Sequence, residues 1–396
     1  MRVLQICSKP PIPAVDGGCK AMNNITQGLI QAGIEVKVLT LATQKHPFQP
    51  DLMGEAYMKK TGIEHVFIDT QVKVKDAFLN LFSSNSYNIE RFDAPEFEAL
   101  IAQTLQAAVY DAVILESLYV TPYLEIIRKH SEARVLYRAH NVEFEIWQRN
   151  AMLEKGPKRS YLRLLSSRLK KYESDIINRV DAIAAITSKD QDLLKELGAT
   201  KPVTVVPFGI NVSNYEPQSA EYPNSCFHIG SMDWSPNLNG INWLLKQVWP
   251  GLQDDSQNAG FYLAGRNMPE ELLRLKQKQV HVIGEVEEAN EFMNAHDMML
   301  VPLFAGSGMR IKIVEAMALQ KTVVATSIAA EGIDVVDGEH ILIADTAEEF
   351  MTQIRYLWEH PEEKERIARN ARELIVSNYD NQRIVNNLVQ YIKALN

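Results

Sequence analysis

Short apolar runs alternate with helical stretches along this chain, and they do so in two series. The first comprises Val3-Leu-Gln-Ile6, Val36 to Ala42, Val66 to Ile68, Asp111-Ala-Val-Ile-Leu115, Arg134-Val-Leu-Tyr137, Ala182-Ile-Ala-Ala-Ile186 and Val203-Thr-Val-Val206. Strand and helix in turn predict βαβ units and a parallel sheet. The pattern then pauses. Pro207-Phe-Gly-Ile-Asn211 through Pro223 lacks periodicity and reads as an interdomain linker. From Cys226 the alternation restarts, through Cys226 to Gly230, Phe261 to Gly265, Val280 to Gly284, Met298 to Leu303, Thr322 to Thr326 and Ile341 to Ala344. The tail from about Thr346 to Asn396 is almost wholly helical. A length of 396 residues also exceeds one ordinary core. The expectation is an α/β protein of two doubly wound, Rossmann-like parallel-sheet domains, residues 1–206 and 224–377, joined by a linker at 207–223. Ligands of such sheets sit at the carboxyl ends of the strands.

Composition narrows the function. The net charge is -9, which argues against a partner held by a global basic field, so no nucleic acid is expected. Cys7, Cys19 and Cys226 are scattered, odd in number and without metal-ligand spacing; a reduced, cytoplasmic compartment and no bound metal are expected. The chain enters its first strand without an apolar leader, and no apolar run approaches the length of a membrane span.

The stretch richest in chemistry is Phe304-Ala-Gly-Ser-Gly-Met-Arg-Ile-Lys-Ile-Val-Glu315-Ala-Met-Ala-Leu, between two strand-like runs. Gly306, Ser307 and Gly308 form a turn whose backbone amides can approach a ligand closely. The helix that follows presents unpaired N–H groups and a positive dipole end. Arg310 and Lys312 add two cations and Glu315 one carboxylate. Amides and cations suit a diphosphate, and a carboxylate beside them suits vicinal hydroxyls. The plainer reading is a Gly-rich turn followed by a surface ion pair between Lys312 and Glu315 at i, i+3.

Other strand ends carry further candidates. Gly230 ends the first strand of the second series, and Ser235 then Pro236 read as the N-cap and first residue of a helix. Trp234 is placed either to stack on a base or to pack the domain edge. Asn237 and Asn239 contact ligand or cap locally. Arg266 follows another strand, as do Gly284 and Glu285. In the first series, Asp16-Gly17-Gly18 lies between strand and helix, where two glycines let backbone approach a phosphate or sugar; a plain tight turn is the alternative. No G-x-G-x-x-G is present, so the dinucleotide fingerprint is missing. His140 follows the strand ending at Tyr137, where it can bond a sugar hydroxyl, assist proton transfer or serve structure alone.

Residues 157–171 form a basic amphipathic segment with Leu162, Leu165 and Leu169 on one face. It suits either a helix packed on the sheet or contact with anionic lipid headgroups or a lipid-linked acceptor. No Ser-His-Asp arrangement, H-E-x-x-H or Walker loop is visible, which removes the common hydrolase, protease and P-loop readings.

As a set these residues resemble a known family. Gly306-Ser-Gly-x-Arg-x-Lys-x-x-Glu-Ala-Met-Ala318, then Val323-Val-Ala-Thr and Glu331-Gly-Ile333, is similar to the donor-binding half of the GT-B glycosyltransferases of the retaining family four. Val206-Pro-Phe-Gly-Ile-Asn211 resembles that family's linker, Asp16-Gly-Gly18 its first N-domain loop, and His140 falls where a family histidine lines the cleft. The resemblance implies two domains facing across a cleft (GT-B), with a C-terminal helix, about 378–396, crossing back to the first. It implies sugar transfer from a nucleoside-diphosphate sugar to a glycan, lipid-linked or small-molecule acceptor, as in polysaccharide biosynthesis, with retention and without a cofactor or essential metal. Glu315 matches the glutamate that holds the ribose. Two departures stand out. Ser307 occupies the place of a glutamate that contacts the donor sugar, and Ser231 and Asn239 occupy places where the family carries Arg and Lys.

The expected catalytic residues are therefore His140, Arg310 and Lys312. The expected donor-binding residues are Gly306, Ser307, Gly308, Glu315, Gly230, Asn237 and Arg266, with Asp16, Gly17 and Gly18 on the acceptor side. A cytoplasmic enzyme is expected, peripheral on the inner face of the membrane if residues 157–171 touch lipid. The alternatives are a nucleotide-sugar epimerase of similar fold and a non-catalytic nucleotide-sugar-binding subunit.

Overall fold

The computed structural model describes residues 1–71, 80, 83, 85–253, 260–305 and 308–395. The chain forms two compact units, one of Met1–Gly209 with Asn381–Asn396 and one of Ile210–Asp380. The segment from about Val72 to Phe82, which reads as helical in the sequence, lies largely outside the described residues.

The first unit holds a seven-stranded parallel sheet of β1 (Arg2–Cys7), β2 (Glu35–Ala42), β3 (Glu64–Phe67), β4 (Ala112–Glu116), β5 (Arg134–Ala139), β6 (Ala182–Ala185) and β7 (Val203–Val205), in the order β3-β2-β1-β4-β5-β6-β7. The order reverses direction between β1 and β4, and this switch point opens a crevice at the strands' carboxyl ends. Side chains alternate across the pleat. Leu4, Ile6, Val113 and Leu115 enter one apolar cluster, and Val3, Cys7, Ala112 and Ile114 enter another. The second cluster is closed by the helices Gly17–Gln31 and Asn381–Ala394. These two pack so closely that a Cβ on Gly28 would collide with Val385. The C-terminal helix therefore belongs to the first unit, because Ile384, Val385, Leu388 and Ile392 form its apolar face.

The second unit holds a six-stranded parallel sheet of β8 (Cys226–Ile229), β9 (Phe261–Ala264), β10 (Val280–Gly284), β11 (Met298–Val301), β12 (Thr322–Ala325) and β13 (Leu342–Ile343), in the order β10-β9-β8-β11-β12-β13. Its switch point lies between β8 and β11.

The stretch 207–223 is divided between the units. Residues 210–223 run over the second unit and are tied to it throughout. Ile210 pairs with Asp380, the Gln218 N–H donates to Asn294 at 3.2 Å, and Arg372 donates to the Tyr215 carbonyl at 2.9 Å. Its lack of periodicity reflects a fastened strap rather than a free connection.

Two local expectations shift. The helix expected to follow Asp16-Gly17-Gly18 starts at Gly17, because Asp16 caps it by accepting from the Cys19 N–H at 2.9 Å. Gly17 and Gly18 are thus a helix's first turn rather than a free loop. Ser235 is the first residue of its helix, with Trp234 at the cap. A proline tolerates any first-turn position, since none of those N–H groups has an intrahelical partner. The basic segment is the helix Gly156–Ile176, and it directs Leu165 and Leu169 into the core. No helix among the described residues is long and apolar enough to cross a membrane.

Candidate functional site

Each switch point gathers polar side chains, and in the second unit Gly230, Asn237 and Lys312 are residues singled out above. β8 ends in Gly230, whose missing side chain leaves room for two others. A Cβ there would lie 2.8 Å from the Asn237 amide nitrogen and 2.9 Å from Lys312 Nζ. Asn237 is buried; its Nδ2 donates to the Ser231 carbonyl at 2.8 Å and its Oδ1 accepts from Lys312 at 2.8 Å. Lys312 also donates to the Ile229 carbonyl at 3.2 Å and lies 3.1 Å from His228 Nε2. His228 is fully buried, and its Nδ1 lies 2.7 Å from the Leu300 carbonyl. A carbonyl only accepts, so Nδ1 carries the hydrogen and Nε2 is left to accept from Lys312.

The ammonium thus spends its three hydrogens on neutral acceptors. Burial, and secondarily the charge of Arg310, push the Lys312 amine down to about 7. Lys312 and Glu315 do not meet as a surface pair. Glu315 is half-buried and accepts from the Tyr215 hydroxyl, carried by the strap, at 3.0 Å.

Arg310 sits at the cap position of the helix Ile311–Ala318, whose first turn receives no side-chain cap. It is buried, donates to the Gly308 carbonyl at 2.5 Å, and lies 5.5 Å from the centroid of the Trp234 ring. Gly308 adopts φ 79°, a left-handed value that favours glycine. Gly306 and Ser307 lie outside the described residues. Arg266, at the end of β9, is exposed. Gly230, Asn237 and Lys312 therefore form one cluster, and Gly308 and Arg310 form the turn beside Trp234.

In the first unit Asp16 caps the helix that follows β1, and His140 stands at the end of β5. The Asp16 carboxylate accepts from Lys9 at 2.7 and 2.9 Å and lies 2.9 Å from His46 Nε2. Burial works to raise the carboxyl, but Lys9, the Cys19 N–H and His46 hold it below its ordinary value. Donor atoms of Asp16, Cys19 and His46 lie within 4.8 Å of one another; the Lys9 ammonium already engages both oxygens of Asp16. A Cβ on Gly18 would lie 2.9 Å from Lys9 Nζ, so the glycine makes room for that lysine.

His140 Nε2 lies 2.6 Å from Glu116 Oε2, and Arg138 Nη1 donates to the same oxygen at 3.0 Å. Glu116 and Arg138 are at most 1% exposed. Burial acts to raise the Glu116 carboxyl, yet the charge of Arg138 and the bonds from His140 and Gln5 bring it down to about 2. Burial lowers the basicity of His140, and its bond to Glu116 only partly offsets this.

Sequence reasoning missed Glu116, Arg138, His228 and Tyr215. For the first two a signal existed: Glu116 and Arg138 are charged residues in otherwise apolar strands, at positions that alternation turns toward a helix-covered face. His228 reads as one more strand residue, and nothing local marks Tyr215.

Comparisons with known proteins agree with this architecture. Residues 15–214, half of the chain, match the family model described as Glycosyltransferase Family 4, and residues 223–360 match the model for Glycosyl transferases group 1. An uncharacterized 44.6 kDa protein in the cps region of Klebsiella pneumoniae is 25% identical over 298 residues, covering 70% of this chain and 73% of that protein. Among solved structures, sucrose-phosphate synthase from Thermosynechococcus elongatus superposes with a TM-score of 0.70 at 14% identity, covering 100% of this chain and 99% of the other. HepE from Anabaena in complex with UDP superposes with a TM-score of 0.66 at 15% identity over 100% of both chains. At these identities the structural likeness establishes the fold.

Proposed function

This chain belongs to glycosyltransferase family 4, and on that premise we propose that it moves a sugar from a nucleoside-diphosphate sugar to an acceptor hydroxyl, using the β8–β11 switch point as the diphosphate site. The observation that carries the reading is the half-buried Lys312 ammonium beneath Gly230, held only by neutral groups. It supplies positive charge that nothing among its bonding partners cancels, beside a helix start with no side-chain cap.

In this reading Arg310 and the backbone amides from Gly306 to Gly308 contact the diphosphate, and Lys312 acts through its charge. Donors held in place before the leaving group develops charge lower the barrier without reorganising. That makes a metal unnecessary. Glu315, oriented by Tyr215, takes the ribose hydroxyls; Gly230 and Asn237 shape the turn, and Arg266 lies at its rim. His140 and the Asp16–Gly18 helix start serve the acceptor side. Retention by same-face attack follows the family pattern. A complex of HepE with UDP-glucose supports a nucleoside diphosphate sugar as donor class. The relative from a cps region supports a glycan or lipid-linked acceptor in polysaccharide assembly on the cytoplasmic side. The helix Gly156–Ile176 spends its apolar stripe on the core and leaves Lys158, Arg163, Lys170 and Lys171 exposed, so membrane contact through it is electrostatic.

A panel of nucleoside-diphosphate sugars in a thermal-shift assay, followed by product analysis with lipid-linked acceptors, tests this. Stabilisation by one donor and acceptor-dependent transfer are expected. Release of an altered sugar nucleotide without acceptor identifies an epimerase instead, and binding without turnover identifies a non-catalytic subunit.

A further inference from the structure

Glu116, at the carboxyl end of β4, has no part in the assignments above, yet both of its carboxylate oxygens are engaged. Its Oε1 accepts from Gln5 Nε2 at 2.8 Å. Its Oε2 accepts from Arg138 Nη1 at 3.0 Å and lies 2.6 Å from His140 Nε2. We propose that Glu116 is a positioning residue that fixes His140 as a neutral imidazole, hydrogen on Nε2 and lone pair on Nδ1, so that the ring receives a hydrogen bond from a ligand hydroxyl. The proposal rests on the placement of His140 at the acceptor side.

The hydrogens can be assigned by elimination. Gln5 cannot turn its amide over, because Nε2 donates to the Met22 carbonyl at 3.1 Å while Oε1 accepts from Thr26 Oγ1 at 2.6 Å. Gln5 therefore presents a donor to Glu116. Arg138, always charged, presents a second and is itself tied to the Ala21 carbonyl at 3.3 Å. A carboxyl group facing two donors is an ionised acceptor. Oε2 then has no hydrogen to give His140, so the 2.6 Å contact requires the hydrogen on Nε2. The charges of Glu116 and Arg138 cancel, and the remaining nearby cation, Lys9, also disfavours an imidazolium.

Nδ1 makes no hydrogen bond among the described residues, and 11% of the side chain stays exposed. What it offers a ligand is a lone pair. That chemistry accepts from a sugar or acceptor hydroxyl and repels a phosphate oxygen, so the histidine belongs with the polyol part of the substrates. Groups that orient a metal-ligating histidine from behind are worth about tenfold to a hundredfold, a scale taken over here for a histidine that bonds a hydroxyl, and a wrong tautomer costs more where the ring transfers a proton.

Nitrogen-15 NMR of histidine-labelled full-length protein at neutral pH reads the tautomer directly. The expected wild-type spectrum has His140 neutral and protonated on Nε2; a neutral ring protonated on Nδ1, or an imidazolium, overturns the proposal. The double variant Glu116→Met/Arg138→Met removes the acceptor while leaving no buried charge behind, which preserves folding. Mixed His140 tautomers are expected, with kcat lower by about tenfold to a hundredfold and the donor KM little changed. Unchanged kcat, or a tautomer still locked on Nε2, contradicts it. Should no donor support transfer by the wild type, the transferase reading falls, while the NMR result still decides the role of Glu116.

Discussion

The two switch points handle a cation withdrawn from solvent in opposite ways, Arg138 being buried and Lys312 half-buried. In the first unit Arg138 is paired with Glu116 and the imidazole beside them stays neutral, so the cluster carries no net charge. In the second unit Lys312 is held by a histidine, an asparagine and a backbone carbonyl, with no carboxylate among its partners. Solvating a charge with neutral dipoles alone is costly in a folded interior. The first arrangement suits hydroxyl recognition, and the second is poised for an anion that completes the missing half of the pair.

The sharpest way to break this contrast is Arg310→Ala. Loss of a charged donor aimed at the leaving group is expected to lower kcat by about 10²- to 10³-fold, with the melting temperature near that of the parent. Full activity with every donor the parent accepts would remove Arg310 from the site.

Next come paired stability measurements. Glu116→Leu strands Arg138 as a buried unpaired charge and is expected to cost about 3–5 kcal/mol in denaturant unfolding. Lys312→Met removes a charge that has no carboxylate partner and orphans only neutral acceptors, so a smaller loss of stability is expected, while nucleoside diphosphate affinity falls by about tenfold or more. Equal destabilisation by both would erase the distinction between the clusters.

Acid sharpens it further. Glu116 has a native-state value held to about 2, below its ordinary range. Its contribution to stability is therefore complete above that ordinary range and lost as pH falls toward 2. Lys312 is the reverse kind of group, lowered to about 7 from an ordinary 10.5. Between those values the unfolded chain binds a proton that the native state does not, so its contribution rises with pH across that window. Thermal melts from pH 3 to 9 comparing Glu116→Met/Arg138→Met and Lys312→Met with the parent should show loss of the acid-side slope in the first and of the alkaline-side slope in the second.

The smallest effect belongs to Tyr215→Phe. It removes one hydrogen bond to Glu315, worth about 0.5–1.5 kcal/mol, and is expected to raise the donor KM a few-fold at unchanged kcat. An unaltered KM would separate Tyr215 from the ribose site.

Why some of this was legible and some not follows from how each feature is encoded. Short apolar runs alternating with helices report a parallel sheet because burial on both faces demands them, and both sheets could be read this way. The Gly308–Arg310–Lys312–Glu315 stretch was legible because its groups are neighbours in sequence. The cluster that gives Lys312 its environment was not, since His228 and Asn237 come from a strand and a helix distant in sequence from Lys312, and only folding brings that lysine to them beside Gly230. Leu165 and Leu169 show the limit of periodicity: the pattern marks an apolar face but not what covers it, which here is the unit's own core. The fastened strap from 210 to 223 is a further case, because its order comes from Arg372, Asn294 and Glu315 and not from its own composition.

The most direct test of the central claim is calorimetric titration of the full chain with a nucleoside diphosphate at pH 8, in buffers of different ionisation enthalpy. At that pH the Lys312 amine is largely neutral, and an anion bound beside it favours the charged form. Uptake of a proton on binding, affinity that weakens as pH rises above about 7, and loss of both in Lys312→Met are expected. Binding with no proton uptake, identical in the parent and the variant, would contradict the claim that the Lys312 ammonium under Gly230 serves the diphosphate.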